Sequence, residues 1–290
     1  MDETLCAWGL PPDIRDSTAM KIALCLSGQM RAMRHCIHQV NLAFPNCDID
    51  VYASTWDTET EENEKILKDK VNVVSFERYN NKDLNKYSEL EQEAIIRGFE
   101  GIKRVENWAP VPVWNLTRIE LLAQNSYYAV QGEYDYIVRS RFDMTYLEDL
   151  TPLLSREQIL LSEDIGGSAP WDIWKGSRMV FDGFAAGSPA QMEEYYRFVD
   201  WLPLYFTYHD ETLKAERTLG WYLDRVAAVE TKFARDIVGI QINETEWYNR
   251  SNPIRTDSLS SKQKGTFDFY KQDLKNNYPD LYETIEHVFK

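Results

Sequence analysis

The chain has 290 residues with 47 acidic and 32 basic side chains, a formal net charge of −15. That charge repels a phosphate backbone and excludes nucleic-acid binding through a general basic field, although local arginine clusters can still hold small anions. A hydrophobic fraction of 43%, with 9 Trp and 17 Tyr, excludes a disordered chain and suffices for one sizeable core.

Residues 1–20, with Pro11-Pro12 and no clear periodicity, read as a leader packed on the domain, and residues 21–290 as one α/β domain. Lys21 to Leu26 (KIALCL) is a continuous apolar run suited to a strand buried on both faces. Ser27-Gly28 then turns the chain into a helix predicted through about Phe44. Asp48 to Ser54 reads as a second strand, Glu59 to Lys68 as a helix and Val71 to Phe76 as a third strand. After a polar, weakly patterned stretch from about Asp83 to Pro112, Leu116 to Val130 is helical and leads into a strand at Tyr134 to Val138. Strands alternating with helices predict a Rossmann-like, mostly parallel sheet of at least four strands flanked by helices. Gly166-Gly167-Ser168 with Pro170 marks a loop, and Ser188-Pro189-Ala190-Gln191 reads as a helix start with a capping box. Helices are expected over about His209 to Val226 and, as one or two segments, over Phe267 to Lys290.

Cys6, Cys25, Cys36 and Cys47 show no C-x-x-C spacing, which fits a reducing compartment, and Cys25 reads as core rather than nucleophile. His35, His38, His209 and His287 lack zinc spacing. No window approaches the ~18 apolar residues of a membrane span, and no signal peptide is visible. A cytoplasmic protein is expected, free or peripheral to a membrane.

Three groups of residues invite a chemical reading. Ser27, Gly28, Gln29 and Arg31 follow the first strand, where open α/β sheets bind anionic ligands; the alternative is a helix-capping turn. Trp56-Asp57 ends the second strand and suits stacking of a base or sugar beside a hydroxyl-accepting acid; alternatively Trp56 is core. Arg139, Arg141 and Asp143 have equal parity in YDYIVRSRFD and share one face if the chain stays extended. A diphosphate with a divalent cation would satisfy them, and so would an arginine–aspartate salt-bridge network. Further on, Glu216 falls within the apolar stripe of Leu213, Leu219, Leu223 and Val226. A desolvated glutamate there suits a general base, and the alternative is a pairing with Arg217 or Arg225.

The segments KIALCLSGQMR, STWD, YDYIVRSRFDM and FDGFAAGSPAQMEEY together resemble glycosyltransferase-like proteins of bacterial and viral polysaccharide synthesis with a GT-A fold, over roughly Lys21 to Val226. The resemblance implies a nucleotide-binding half over about 21–145 and an acceptor half with a helical tail over about 146–290. In that group a D-x-D motif holds Mn²⁺ or Mg²⁺ on the donor diphosphate, and Asp143 stands in its place. Arg141 departs from the pattern where the first acid would be; this leaves the cation open and lets Arg141 itself neutralise phosphate charge. Asp182, in FDGFAAGS, is implied to meet an acceptor hydroxyl, with a salt bridge or turn cap as its alternative.

The expected function is transfer of a sugar from a nucleoside-diphosphate sugar to a saccharide. Ser27 to Arg31, Trp56 and Asp57 would surround the nucleotide, Arg139, Arg141 and Asp143 the diphosphate, and Asp182 and Glu216 the acceptor. The alternatives are a catalytically silent saccharide-binding or assembly protein of the same fold, and a sugar nucleotidyltransferase, for which SGQMR is too sparse in Gly and Lys/Arg.

Overall fold

The computed structural model describes residues 19–30, 33–80, 113–144, 146, 148–162, 180, 182–202, 215–233, 272 and 275. Within the helices, the side chains of His35, His38, Glu216 and the segments around residues 113–118 and 215–217 lie outside that description. So do the expected leader through residue 18, the loop at Gly166 to Pro170, Arg31, and all but two residues of the C-terminal helical stretch.

The strands are β1 (Lys21–Ser27), β2 (Asp48–Trp56), β3 (Asn72–Tyr79), β4 (Tyr136–Arg141), β5 (Ile159–Leu161), β6 (Phe184–Gly187) and β7 (Thr231–Phe233). They form one seven-stranded sheet in the order β3-β2-β1-β4-β6-β5-β7. The first four in that order are parallel, as the strand–helix alternation predicts. Beyond β4 the sheet is mixed: β6 runs antiparallel to both β4 and β5, and β7 parallels β5. These three additions have 3 or 4 residues each (ILL, FAAG, TKF), too short for a period-2 pattern and, in FAAG, built from poor strand formers.

Helices α1 (Met33–Cys36), α2 (Val40–Ala43), α3 (Glu61–Lys70), α4 (Val113–Tyr128), α5 (Pro189–Tyr196) and α6 (Ala215–Arg225) surround the sheet. The single helix predicted after Gly28 is instead α1 and α2 separated by a 3₁₀ turn at Ile37–Gln39. Cys36, Ile37, Val40 and Asn41 are weak helix formers. In addition, the buried Gln39 side chain accepts a hydrogen bond from the distant Tyr146 N–H at 3.0 Å, so tertiary contacts set the local geometry.

Why β1 reads as uninterrupted apolar sequence is clear from its two faces. Ile22, Leu24 and Leu26 pack with Met33, Ile37, Val40, Phe44 and Leu67 of the α1–α3 side. Ala23 and Cys25 pack with Leu122, Tyr195, Tyr196, Leu219 and Leu223 of the α4–α6 side. Cys25 is fully buried, as expected of a core residue, and burial pushes its thiol up to about 12. Among the described residues no helix is long and apolar enough to cross a membrane.

The α5 start is capped as its sequence predicts: Gln191 Oε1 accepts from the Ser188 N–H at 3.0 Å and from its hydroxyl at 3.1 Å. A Cβ at Gly187 would stand 3.0 Å from that same oxygen. Gly187→Ala is therefore expected to displace Gln191 and cost about 1 kcal/mol, the usual value of a lost cap. Urea denaturation checks this; an unchanged midpoint would show that Gln191 yields without loss.

Candidate active site at the carboxyl ends of the central strands

β1 is followed on one side by β2 and β3, and the chain then returns to place β4 on its other side. The strand order thus reverses between β1 and β4, and ligands of open α/β sheets bind in the crevice beyond the carboxyl ends at such a reversal. Here the register sets Ser27 opposite Arg141 and, on the other edge of β1, Ser27 opposite Ser54.

Gly28 opens the turn with φ +109°, a conformation open to glycine and strained for other residues, although a Cβ would meet no atom within 4 Å. The turn is anchored from β2: the Gly28 N–H donates to the Ser54 carbonyl at 3.2 Å, and the Thr55 hydroxyl donates to the Gly28 carbonyl at 2.8 Å. Glu59, just before α3, accepts the Met30 N–H at 2.8 Å. Gly28→Ala should destabilise the protein by about 1–3 kcal/mol through backbone strain alone, a loss measurable as a lower unfolding temperature. Gln29 is exposed beside this anchored turn. Ser27 and Ser54 are each 1% exposed, and neither hydroxyl has a hydrogen-bond partner among the described residues, a costly state that a polar ligand would relieve.

At the end of β2, Trp56 is half-buried and packs against the α4–α6 side of the core. Asp57 is exposed and accepts from Asn80 Nδ2 at 2.8 Å. Both of the readings open for Trp56 have a physical basis here, since the residue packs on the core and is only half-buried.

The three charged residues at the end of β4 divide into two pairs. Arg139 and Arg141 share a face, but extension ends at Arg141 and the chain turns at Phe142-Asp143. Arg141 donates from Nε and Nη2 to the two oxygens of Asp143, at 2.9 and 2.8 Å. Arg139 is 1% exposed and turns to α4, where Nη1 and Nη2 donate to the Glu120 carboxylate at 2.8 and 3.0 Å. Its Nη1 also donates to the Tyr195 hydroxyl of α5 at 2.8 Å. The expectation that Arg139 faces a diphosphate is thereby corrected: its guanidinium is enclosed by an ion pair. Arg141, at the carboxyl end of β4, keeps a side chain that is 20% exposed.

The fit of a divalent cation at Asp143 can be judged from its donors. Asp143 is 2% exposed and both of its oxygens are engaged by Arg141. Among the described residues no group of three or more His, Cys, Asp and Glu side chains is arranged to hold a metal. Among the described residues, the donors at Asp143 do not fit the cation that the D-x-D resemblance implies, because both carboxylate oxygens accept from Arg141 and no second acid stands beside them.

Asp182 lies in the turn before β6, partly exposed, and hydrogen-bonds to Glu120. Burial, opposed by Arg139 and reinforced by the Asp182 charge, pushes the Glu120 carboxyl up to about 7. Glu120, Ser54 and Tyr195 are the residues that motif reading passed over. The stripe argument that singles out Glu216 applies equally to Glu120, which sits three and four residues before the buried Ala123 and Gln124 on the helix. The side chain of Glu216 lies outside the described residues, as does Arg31.

No protein family matches the sequence, and no curated protein matches it. Among solved structures, the chain is similar to mouse xyloside xylosyltransferase 1 in its apo form, at 10% identity and TM-score 0.44, covering 74% of this chain and 84% of that one. It is also similar to the galactosyltransferase LgtC in complex with donor and acceptor sugar analogs, at 13% identity and TM-score 0.46, covering 75% and 74%. An active-site mutant of LgtC matches at 12% identity and TM-score 0.44, covering 84% and 83%.

Proposed function

We propose that the chain is a glycosyltransferase that moves a sugar from a nucleoside-diphosphate sugar to a saccharide hydroxyl. The observation that carries this reading is the strand-order reversal between β1 and β4, with the Ser27 hydroxyl, unpartnered among the described residues, at the end of one strand and Arg141 at the end of the other. The nucleoside would lie between the Ser27–Gln29 turn and Trp56. Arg141, aimed by Asp143, would supply the positive charge that the diphosphate needs as its bond to the sugar breaks. Asp182 would accept the hydrogen bond of the acceptor hydroxyl, and Glu216 would take its proton if the reaction inverts the anomeric carbon. No step requires a metal at Asp143.

A saccharide-binding protein without turnover is the second reading, favoured by the closed Arg141–Asp143 pair in place of two metal-facing acids. A thermal-shift panel of UDP-, GDP-, ADP-, CMP- and dTDP-sugars, each with Mn²⁺ and with chelator, separates the two. Ligand at ~100 times its dissociation constant adds about 2.7 kcal/mol, so one base class should raise the melting temperature by several degrees, equally with chelator. No shift with any donor, beside a shift with free saccharides, would overturn the transferase in favour of the binding protein.

A further inference from the structure

Beneath the crevice, on the α4–α5 side of the sheet, one guanidinium meets two carboxyl groups. Arg139 is held between Glu120 of α4 and the Tyr195 hydroxyl of α5, and Asp182 reaches Glu120 from the turn before β6. Among the described residues, Asp182 also faces Arg141, which is engaged with Asp143. Glu120 is 4% exposed, and Arg139 cannot lose its proton. Two ionised carboxylates in hydrogen-bonding contact at such a place repel one another, and a proton on the more buried one removes the repulsion and supplies the missing donor between them.

We propose that Glu120 is a positioning residue that keeps its proton above the ordinary carboxylate range, up to near-neutral pH, and donates it in a hydrogen bond to Asp182, fixing the Asp182 carboxylate at the mouth of the site. The role given to Asp182 rests on the proposed transfer reaction; the proton on Glu120 does not. When Glu120 ionises, it loses its donor and repels Asp182, so the acceptor side is ordered at lower pH and disordered at higher pH. Because the folded protein holds this proton more tightly than the unfolded chain, the stabilisation is lost as pH rises through the Glu120 titration.

The test is ¹³C NMR of the full chain labelled at Glu and Asp side-chain carboxyls, with no donor or acceptor present. One glutamate resonance should titrate near neutral pH, vanish in Glu120→Gln, and move to lower pH in Asp182→Asn, which removes the neighbouring charge. Glu120→Gln keeps one oxygen to accept from Arg139 and an amide to donate to Asp182, and gives up the second oxygen that Arg139 uses. Its unfolding temperature should lack the decline that the wild type shows between about pH 4.5 and about pH 7. If every glutamate of the wild type titrates in the ordinary carboxylate range, the inference is overturned, whatever the protein does with nucleotide sugars. If the titration is present but transfer has the same pH profile in the wild type and Glu120→Gln, the positioning role is overturned. Absence of donor binding with the titration intact would instead count against the transferase reading alone.

Discussion

Replacing Glu120 with Ala is expected to destabilise the fold by about 3–5 kcal/mol, because the buried Arg139 cation loses two of the hydrogen-bond acceptors that hold it. The asymmetry of the pair is the reason. Arg139 is 1% exposed and accepts no neutral form, so it must stay charged inside the protein, with Asp182 able to offset only part of the loss. Arg139→Met is the milder change, because Glu120 responds to the loss of its cation by keeping its proton. The double variant Glu120→Ala with Arg139→Met should accordingly be more stable than Glu120→Ala alone. Urea denaturation of the four proteins measures this cycle. A Glu120→Ala protein within about 1 kcal/mol of the wild type would mean that solvent reaches Arg139 and that the pair is not part of the interior.

The second large effect is expected at Arg141. Its fork is held by both oxygens of Asp143 yet keeps 20% side-chain exposure, so a partly exposed guanidinium stands at the carboxyl end of β4. Charge-assisted hydrogen bonds to a phosphate contribute about 1.5–3 kcal/mol, so Arg141→Ala should weaken nucleotide-diphosphate binding roughly 10- to 100-fold. Arg141→Lys keeps the charge and can still pair with Asp143, but lacks the planar fork, and should lose an intermediate amount. Asp143→Asn should weaken binding less than either, since it only loosens the aim of Arg141. Calorimetric titration with a nucleoside diphosphate, repeated with chelator, reads all three. Equal affinity of Arg141→Ala and wild type would remove the diphosphate from this place. Loss of binding on chelation would show that a cation displaces Arg141 from Asp143.

The parallel half of the sheet is legible in the chain because each of its strands is 6 to 9 residues long and lies next to a patterned helix. Lys21–Ser27 is apolar throughout since both of its faces are covered, and Ser188 to Gln191 spells out its cap in four consecutive residues. These features depend on neighbours in sequence, so sequence determines them. The antiparallel additions β5 to β7 depend on pairing between segments tens of residues apart, and their own 3 or 4 residues carry no pattern strong enough to announce it.

The same division runs through the site. Parity along YIVRSR by itself puts Arg139 and Arg141 on one face, and the switch from strand to turn after Ser27 marks the crevice end of β1. Which guanidinium meets solvent is decided only by tertiary structure. Glu120 comes from a helix 19 positions earlier and Tyr195 from one 56 positions later, and together they enclose Arg139. Arg141 and Asp143, two residues apart, close on each other instead of on a metal. Charge and alternation are properties of the chain, but desolvation is a property of what packs over it, and desolvation sets both the proton on Glu120 and the exposure of Arg141.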